Sequence, residues 1–299
     1  MRDSMPIVLV VVCDNHFSVM LCALIQSIEA SHSGEDPIEL FIVDDHLSVD
    51  CKKKISLSVT RSFLHVHWLP LKKVIPGKMH IPCDLSLFPK NIHARLFIPY
   101  FIPEHFEKVL YLDVDTILNR DIADLWHTDI GSAALGAVQD PLVPTFGHKK
   151  GIRNFKALKL SPETRYLNSG LLLFNTKKWR DNHFTEKIVA CIEQNKPYAN
   201  YPDQYGINVV MANQWVPLDH RWNVFPYESC QDPYLIHFIG RKPIYSDYKN
   251  LPSYSALFWS YLKNTPWHDY RPKGRLHRYC RNLHHLISKI PCMLIHFSN

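Results

Sequence analysis

The chain's 299 residues, 46% of them hydrophobic, suffice to bury one large core, and its net charge of +6 is modest. Residues 261–299 hold seven basic side chains against Asp269 alone, leaving 27 basic and 27 acidic residues in 1–260, so the neutral body lacks the basic stripe of a nucleic-acid-binding surface. The eight cysteines form neither a CxxC pair nor a short loop, which argues against a zinc site or a disulfide framework and for a reducing cytoplasm.

In chain order, "PIVLVVV" (6–12) is a continuous β-branched run and reads as a strand buried on both faces. "SVMLCALIQSIEA" (18–30) reads as a helix with Ser18 as its N-cap, "IELFIVDD" (38–45) as a second strand, "SVDCKKKISLSVT" (48–60) as a helix opened by Ser48, and "FLHVHWLP" (63–70) as a third strand. Strand, helix, strand, helix, strand opens a doubly wound α/β sheet, whose ligands bind beyond the carboxyl ends of the strands. Farther on, "ALGAVQDP" (134–141) is a strand ending in an acid, and "YLNSGLLLFNTKKWR" (166–180) is a strand followed by a helix with Thr176 as cap. "YPDQYGINVV" (201–210) enters a helix with Asp203 and Gln204 in its first turn, and "YLIHFIGRKPI" (234–244) is a strand that breaks into a basic glycine turn. "PIVLVVV" is too short for a secretory-signal core and no run reaches membrane-spanning length, so a cytoplasmic protein, free or peripheral on the inner face of the membrane, is expected.

The turn after the first strand, "CDNHFS", holds no glycine, so a diphosphate bound there needs a counter-charge other than a glycine-rich loop. "KVLYLDVDTIL" (108–118) supplies one. Read as a single strand, it points Asp113 and Asp115 the same way with Val114 opposite and their Cα atoms roughly 6.5 to 7 Å apart, which makes one side of a divalent-metal site.

"YLDVDTIL", "YLNSGLLLFNTKKWR", "YPDQYGIN" and "HFIGRKP", in that order, resemble the family-8 glycosyltransferases, a group that includes lipopolysaccharide galactosyl- and glucosyltransferases. The resemblance runs from residue 6 to about 245. It implies a GT-A fold, a Rossmann-like mixed but mostly parallel sheet flanked by helices, over residues 1–260. It also implies a metal-dependent retaining hexosyltransferase that moves galactose or glucose from a UDP-sugar to a saccharide or glycolipid acceptor such as a lipopolysaccharide core. The implied metal is Mn²⁺, with Mg²⁺ as the alternative, on Asp113, Asp115 and His237; an imidazole beside two carboxylates suits manganese better than magnesium.

The same resemblance places Lys242 on the donor diphosphate, with Gly240 allowing close backbone approach and Arg241 able to share that role. Val11, Cys13 and Asn15 fall where the family contacts uracil and ribose, Val114 lies between the two acids, and Arg95 in "NIHARLFIP" reaches the donor. Asp140, Asn168, Asp203 and Gln204 match the sugar pocket. Gln204 stands on the attacked face of the anomeric carbon, and an amide is a poor nucleophile, so front-face transfer is expected; Asp203 as nucleophile would mean double displacement instead. The acceptor cleft is expected at 76–92 and 144–165. Two other classes compete: a metal-dependent nucleotide-sugar hydrolase, and a non-catalytic nucleotide-sugar-binding module.

In the tail, 261–299, Leu276, Tyr279, Cys280, Leu283, Leu286, Ile287 and Ile290 recur at helical spacing until Pro291, with Arg275, Arg278, Arg281 and Lys289 mostly off the stripe. This pattern is a basic amphipathic helix fit to lie on an anionic membrane, or else to dock on the body.

Overall fold

The computed structural model describes residues 5–281 apart from 35, 78, 83, 85, 87 and 228, together with 283 and 287. Of the expectations above, those on Leu286, Lys289, Ile290, Pro291, Cys83 and Cys292, and part of the 76–92 cleft, lie outside the described residues.

The strands are β1 (Ile7–Asp14), β2 (Ile38–Asp45), β3 (Leu64–Pro70), β4 (Lys108–Leu112), β5 (Thr116–Leu118), β6 (Leu135–Gln139), β7 (Leu167–Asn175), β8 (Val216–Pro217) and β9 (Leu235–His237). The helices are α1 (Ser18–Ser31), α2 (Val49–Leu57), α3 (Leu71–Val74), α4 (Ile98–Phe101), α5 (Ile122–Trp126), α6 (Thr176–Asp181), α7 (Phe184–Gln194), α8 (Pro202–Val210) and α9 (Pro252–Leu262), with a 3-10 helix at Lys90–Phe97 before α4. Seven strands form one sheet in the order β3-β2-β1-β4-β7-β6-β8. The pairs β3-β2, β2-β1, β1-β4 and β6-β8 are parallel, and β7 runs antiparallel to both β4 and β6. The sheet is the mixed, mostly parallel one expected.

Every residue of β1 from Ile7 to Cys13 is buried because helices cover both faces of the sheet, which is why its sequence is continuous rather than alternating. α1 is buried along most of its length and packs against β5 and α9. The change from acid-balanced to basic composition near residue 260 falls within α9, whose Phe258 and Leu262 sit in the main core.

Three local expectations are corrected. Ser18 is the first residue of α1 rather than its cap; its hydroxyl donates to the Asn15 carbonyl at 2.9 Å. Asn175, not Thr176, caps α6 by accepting from Lys178 N at 2.9 Å, while the Thr176 hydroxyl is drawn to the Phe106 carbonyl. The run 108–118 is not one strand: β4 ends at Leu112, the chain turns through Asp113–Asp115, and β5 leaves the large sheet to pair antiparallel with β9. Ser48 does cap α2, accepting from Cys51 N at 3.2 Å.

The tail is helical from 275 to 281. Its apolar positions Leu276, Tyr279, Leu283 and Ile287 are exposed, while the side chains of Arg278 and Arg281 are largely covered by the body. The docked face is therefore the basic one. Carboxylates at Asp14 and Asp247 lie within reach, and a shielded carboxylate without a counter-charge costs more than an exposed leucine.

Candidate functional site

The turn that carries the two aspartates is fixed from both sides. Asp113 N donates to Gly170 O of β7 at 2.8 Å, and Phe238 N, just past β9, donates to Asp115 O at 2.8 Å. The β5-β9 pairing sets Thr116 opposite His237, and this brings a histidine from far along the chain beside the acids. His237 Nε2 lies 3.6 Å from Asp113 Oδ2 and 3.4 Å from Asp115 Oδ1. One ligand atom from each of the three residues lies within 4.8 Å of the others, and no other such group of three occurs among the described residues.

The imidazole is aimed by its other nitrogen. Nδ1–H donates to Asn223 Oδ1 at 2.9 Å, leaving the Nε2 lone pair toward the carboxylates, and Asn223 is held in turn by donating to Asn168 Oδ1 at 2.9 Å. Gly170 makes room for the ring, since a Cβ there would lie 2.3 Å from His237 Cε1. Two hard oxygen donors, one directed imidazole and a glycine cradle fit a first-row divalent ion.

Lys242 donates to Asp115 Oδ2 and to the Phe238 carbonyl. Burial alone would push the Asp115 carboxyl up, but Lys242 and His237 hold it well below the usual carboxylate range, so it is ionised. Gly240 turns the chain with φ +67, and a Cβ there would meet the Tyr227 hydroxyl at 2.8 Å. Arg241, the alternative to Lys242, points instead to Asp247 at 3.5 Å.

Arg95 wires the acids to the second half of the site. From the 3-10 helix it donates to Asp113 Oδ1 at 2.9 Å and to Ser169 O at 2.7 Å, pairs with Asp203 Oδ2 at 3.1 Å, and lies over the Tyr111 ring at 4.6 Å. Burial opposes its charge, but Asp113, Tyr111 and Asp203 more than offset it and raise its pKa. Beyond it, Asn168 Nδ2 donates to Asp140 Oδ2 at 3.1 Å, and Gln204 Oε1 accepts from Ser169 N at 3.0 Å and from Asn168 Nδ2 at 3.3 Å. Asp140, just past β6, Asn168 of β7, and Asp203 and Gln204 of α8 thus meet in one buried cluster.

The N-terminal residues are placed differently. Val11 and Cys13 have 0% and 1% of their surface exposed, and burial drives the Cys13 thiol pKa up; Asn15 is exposed and braces the β2-α2 loop through Ser48 N and the His46 carbonyl. Val114 is buried between the acids. The expected acceptor segment 144–165 packs through Phe146 and Ile152 into a second small core with Tyr166 and Tyr205. Sequence reading missed Tyr111, Ser169, Gly170 and Asn223. Ser169 and Gly170 lie inside "YLNSGLLLF", beside Asn168, whereas "HRWNVF" gives no sign that Asn223 holds His237.

A sequence profile described as glycosyl transferase family 8 matches residues 8–243. General stress protein A of Bacillus subtilis is 24% identical over 289 residues, covering 89% of this chain and 96% of that protein. Lipopolysaccharide 1,2-glucosyltransferase of Escherichia coli is 25% identical over 235 residues, covering 78% of this chain and 64% of that protein. Among known structures, an active-site mutant of LgtC superposes with a TM-score of 0.72 at 21% identity, over 88% of this chain and 99% of that one. The bifunctional glycosyltransferase WbbM superposes at 0.75 with 19% identity, over 90% of this chain and 51% of that one. These structural likenesses establish the GT-A fold.

Proposed function

Because this chain belongs to glycosyl transferase family 8, we propose that it transfers a hexose, galactose or glucose, from a UDP-sugar to a hydroxyl of a saccharide acceptor, with retention of anomeric configuration. The observation that carries this reading is the convergence of Asp113, Asp115 and His237, tied through Arg95 to the amide and carboxylate cluster around Gln204. The relative named as a lipopolysaccharide glucosyltransferase supports a lipopolysaccharide core or related glycan as acceptor.

Asp113, Asp115 and His237 would hold Mn²⁺, or Mg²⁺ in its place, which when bound supplies positive charge to a leaving nucleoside diphosphate. Lys242 adds a second cation, exchanging Asp115 for a diphosphate oxygen, while Gly240 lets the backbone come close. Asp140, Asn168 and Asp203 take the sugar hydroxyls.

Two placements favour front-face transfer over double displacement. The Asp203 carboxylate is engaged by Arg95 and by the Ser169 hydroxyl, which lowers its nucleophilicity, and the Gln204 carbonyl oxygen already accepts from Ser169 and Asn168. In the proposed step the anomeric C–O bond to diphosphate breaks and the acceptor oxygen bonds to the same face. The departing phosphate oxygen takes the acceptor's proton, so no separate base is needed.

We place the protein on the cytoplasmic side, at the membrane surface. No helix among the described residues is long and apolar enough to cross a membrane, and the outward stripe of Leu276, Tyr279, Leu283 and Ile287 supports a peripheral contact made by apolar side chains more than by the arginines. A panel of UDP-sugars with Mn²⁺, followed by UDP release with and without acceptor, tests the reading. Transfer that disappears in Asp115→Asn supports it; unchanged turnover with every donor defeats the metal assignment, and release independent of acceptor favours a hydrolase.

A further inference from the structure

The basic face of the tail helix does not rest on an arbitrary part of the body. Arg281 donates to Asp14 Oδ2 at 2.6 Å, at the carboxyl end of β1, and its guanidinium lies 4.3 Å from the Phe17 ring centroid. Lys242 reaches the same ring at 5.7 Å while bonded to Asp115. Three guanidinium groups, of Arg241, Arg275 and Arg278, gather around one buried oxygen of Asp247 at 3.5, 3.3 and 3.7 Å. Between these anchors His277 stacks on His16 at 5.3 Å, His16 meets the Tyr245 hydroxyl at 2.7 Å, and Lys273 is hydrogen-bonded through its backbone to Ile244 and Ser246.

The two body segments joined in this way are the turn 14–17, which contains Asn15, and the loop 240–247, which contains Gly240 and Lys242. Both flank the place where the nucleotide end of the donor would lie. We propose that Arg275, Arg278 and Arg281 are positioning residues for the nucleotide-sugar donor: the tail helix straps the β1-α1 turn to the Lys242 loop and forms a wall of the nucleotide pocket. The physical gain is twofold. The strap fixes the separation of two loops that otherwise pay ordering entropy on binding. It also neutralises Asp14 and Asp247, which would repel an anionic diphosphate. This inference rests on the donor reading given above, and it assigns the tail a role in donor affinity separate from any contact with a membrane.

The test uses the full chain with UDP and Mn²⁺ as the binding probe, and steady-state kinetics on whichever UDP-sugar the donor panel identifies. Arg281→Ala and the pair Arg275→Ala with Arg278→Ala are expected to weaken UDP binding and raise the donor KM about tenfold, a coupling of the usual size for sites joined through one element, with a smaller change in kcat. Arg281→Lys should recover part of the loss, because charge is kept while the planar contact with Asp14 and Phe17 is not. In the Arg281→Ala background, Asp14→Asn should recover part as well by removing the exposed negative charge. Leu276→Ala, on the outward stripe, should leave the donor KM where it is. Unchanged UDP binding in folded Arg281→Ala and in the double variant overturns the strap, as does equal damage from Leu276→Ala. If Arg281→Ala fails to fold, the Arg281→Lys and Asp14→Asn kinetics decide, and donor KM values equal to wild type in both overturn it. A wild-type protein that binds no nucleoside diphosphate removes the donor reading and this inference together, an outcome distinct from the others.

Discussion

Arg95 and Arg281 both pair with an aspartate at the end of a central strand, and the contrast between their surroundings separates the two regions of this protein. Arg95, on the 3-10 helix, is buried over the Tyr111 ring and satisfies Asp113, Asp203 and a backbone carbonyl at once. Arg281 comes from a helix whose other face is open to solvent, and it holds the Asp14 carboxylate and the Phe17 ring with the Tyr245 hydroxyl nearby. The interior pair is a fixed joint between the Asp113–Asp115–His237 group and the cluster around Gln204. The Arg281 pair is the more separable, because Arg281 is 17% exposed against 7% for Arg95 and sits on a helix that water can reach.

The sharpest way to break this comparison is at Asp115. Asp115→Asn should cut transfer by about a thousandfold or more, since it removes both a proposed ion ligand and the partner of Lys242; UDP release with saturating Mn²⁺ measures it. Next comes Arg95→Ala, which strands Asp113 and Asp203 together. A loss of about 3–5 kcal/mol in unfolding free energy is expected, read by denaturant titration, against a much smaller loss for Arg281→Ala. If the two variants destabilise equally, the distinction between joint and strap fails.

Gly170→Ala should cost about 1–3 kcal/mol as the His237 ring is pushed from its cradle, and Mn²⁺ affinity should fall with stability. Asn223→Ala keeps the ring's space but frees its orientation. A loss of about 10- to 100-fold in Mn²⁺ affinity with near-normal stability is the expected pattern, measured by calorimetric titration.

The effect that is smallest near neutral pH is a pH slope at the tail interface. Burial, with Arg281 nearby, lowers the His16 pKa from 6.5 to about 3, while Asp14 works in the opposite direction. The unfolded chain therefore takes up a proton on acidification that the folded chain refuses. Stability from this group is complete above pH 6.5 and declines as pH falls from there toward about 3. His16→Gln should flatten that part of the stability curve, and an unaltered slope would show that His16 is not shielded.

The sequence by itself determined the fold class and the family, and it named the side chains that the fold then gathers. β-branched runs separated by helical stretches specify a parallel core because burial on both faces requires continuous apolar strands, and the acids, amides and lysine that matter lie in short segments whose order survives in one dimension. It did not determine which groups face one another. That Asp113 and Asp115 sit on a turn, not on a strand, that Asn223 aims His237, and that Arg95 joins Asp113 to Asp203 all follow from β5 leaving the sheet to pair with β9 and from β7 running against β4. These pairings join residues far apart in the chain. The tail shows the same division: periodicity gave a two-faced helix, and only the presence of Asp14 and Asp247 on the docked surface decided that the basic face turns inward. Local pattern reports what a segment can bury, while the identity of the partner is a property of the assembled surface.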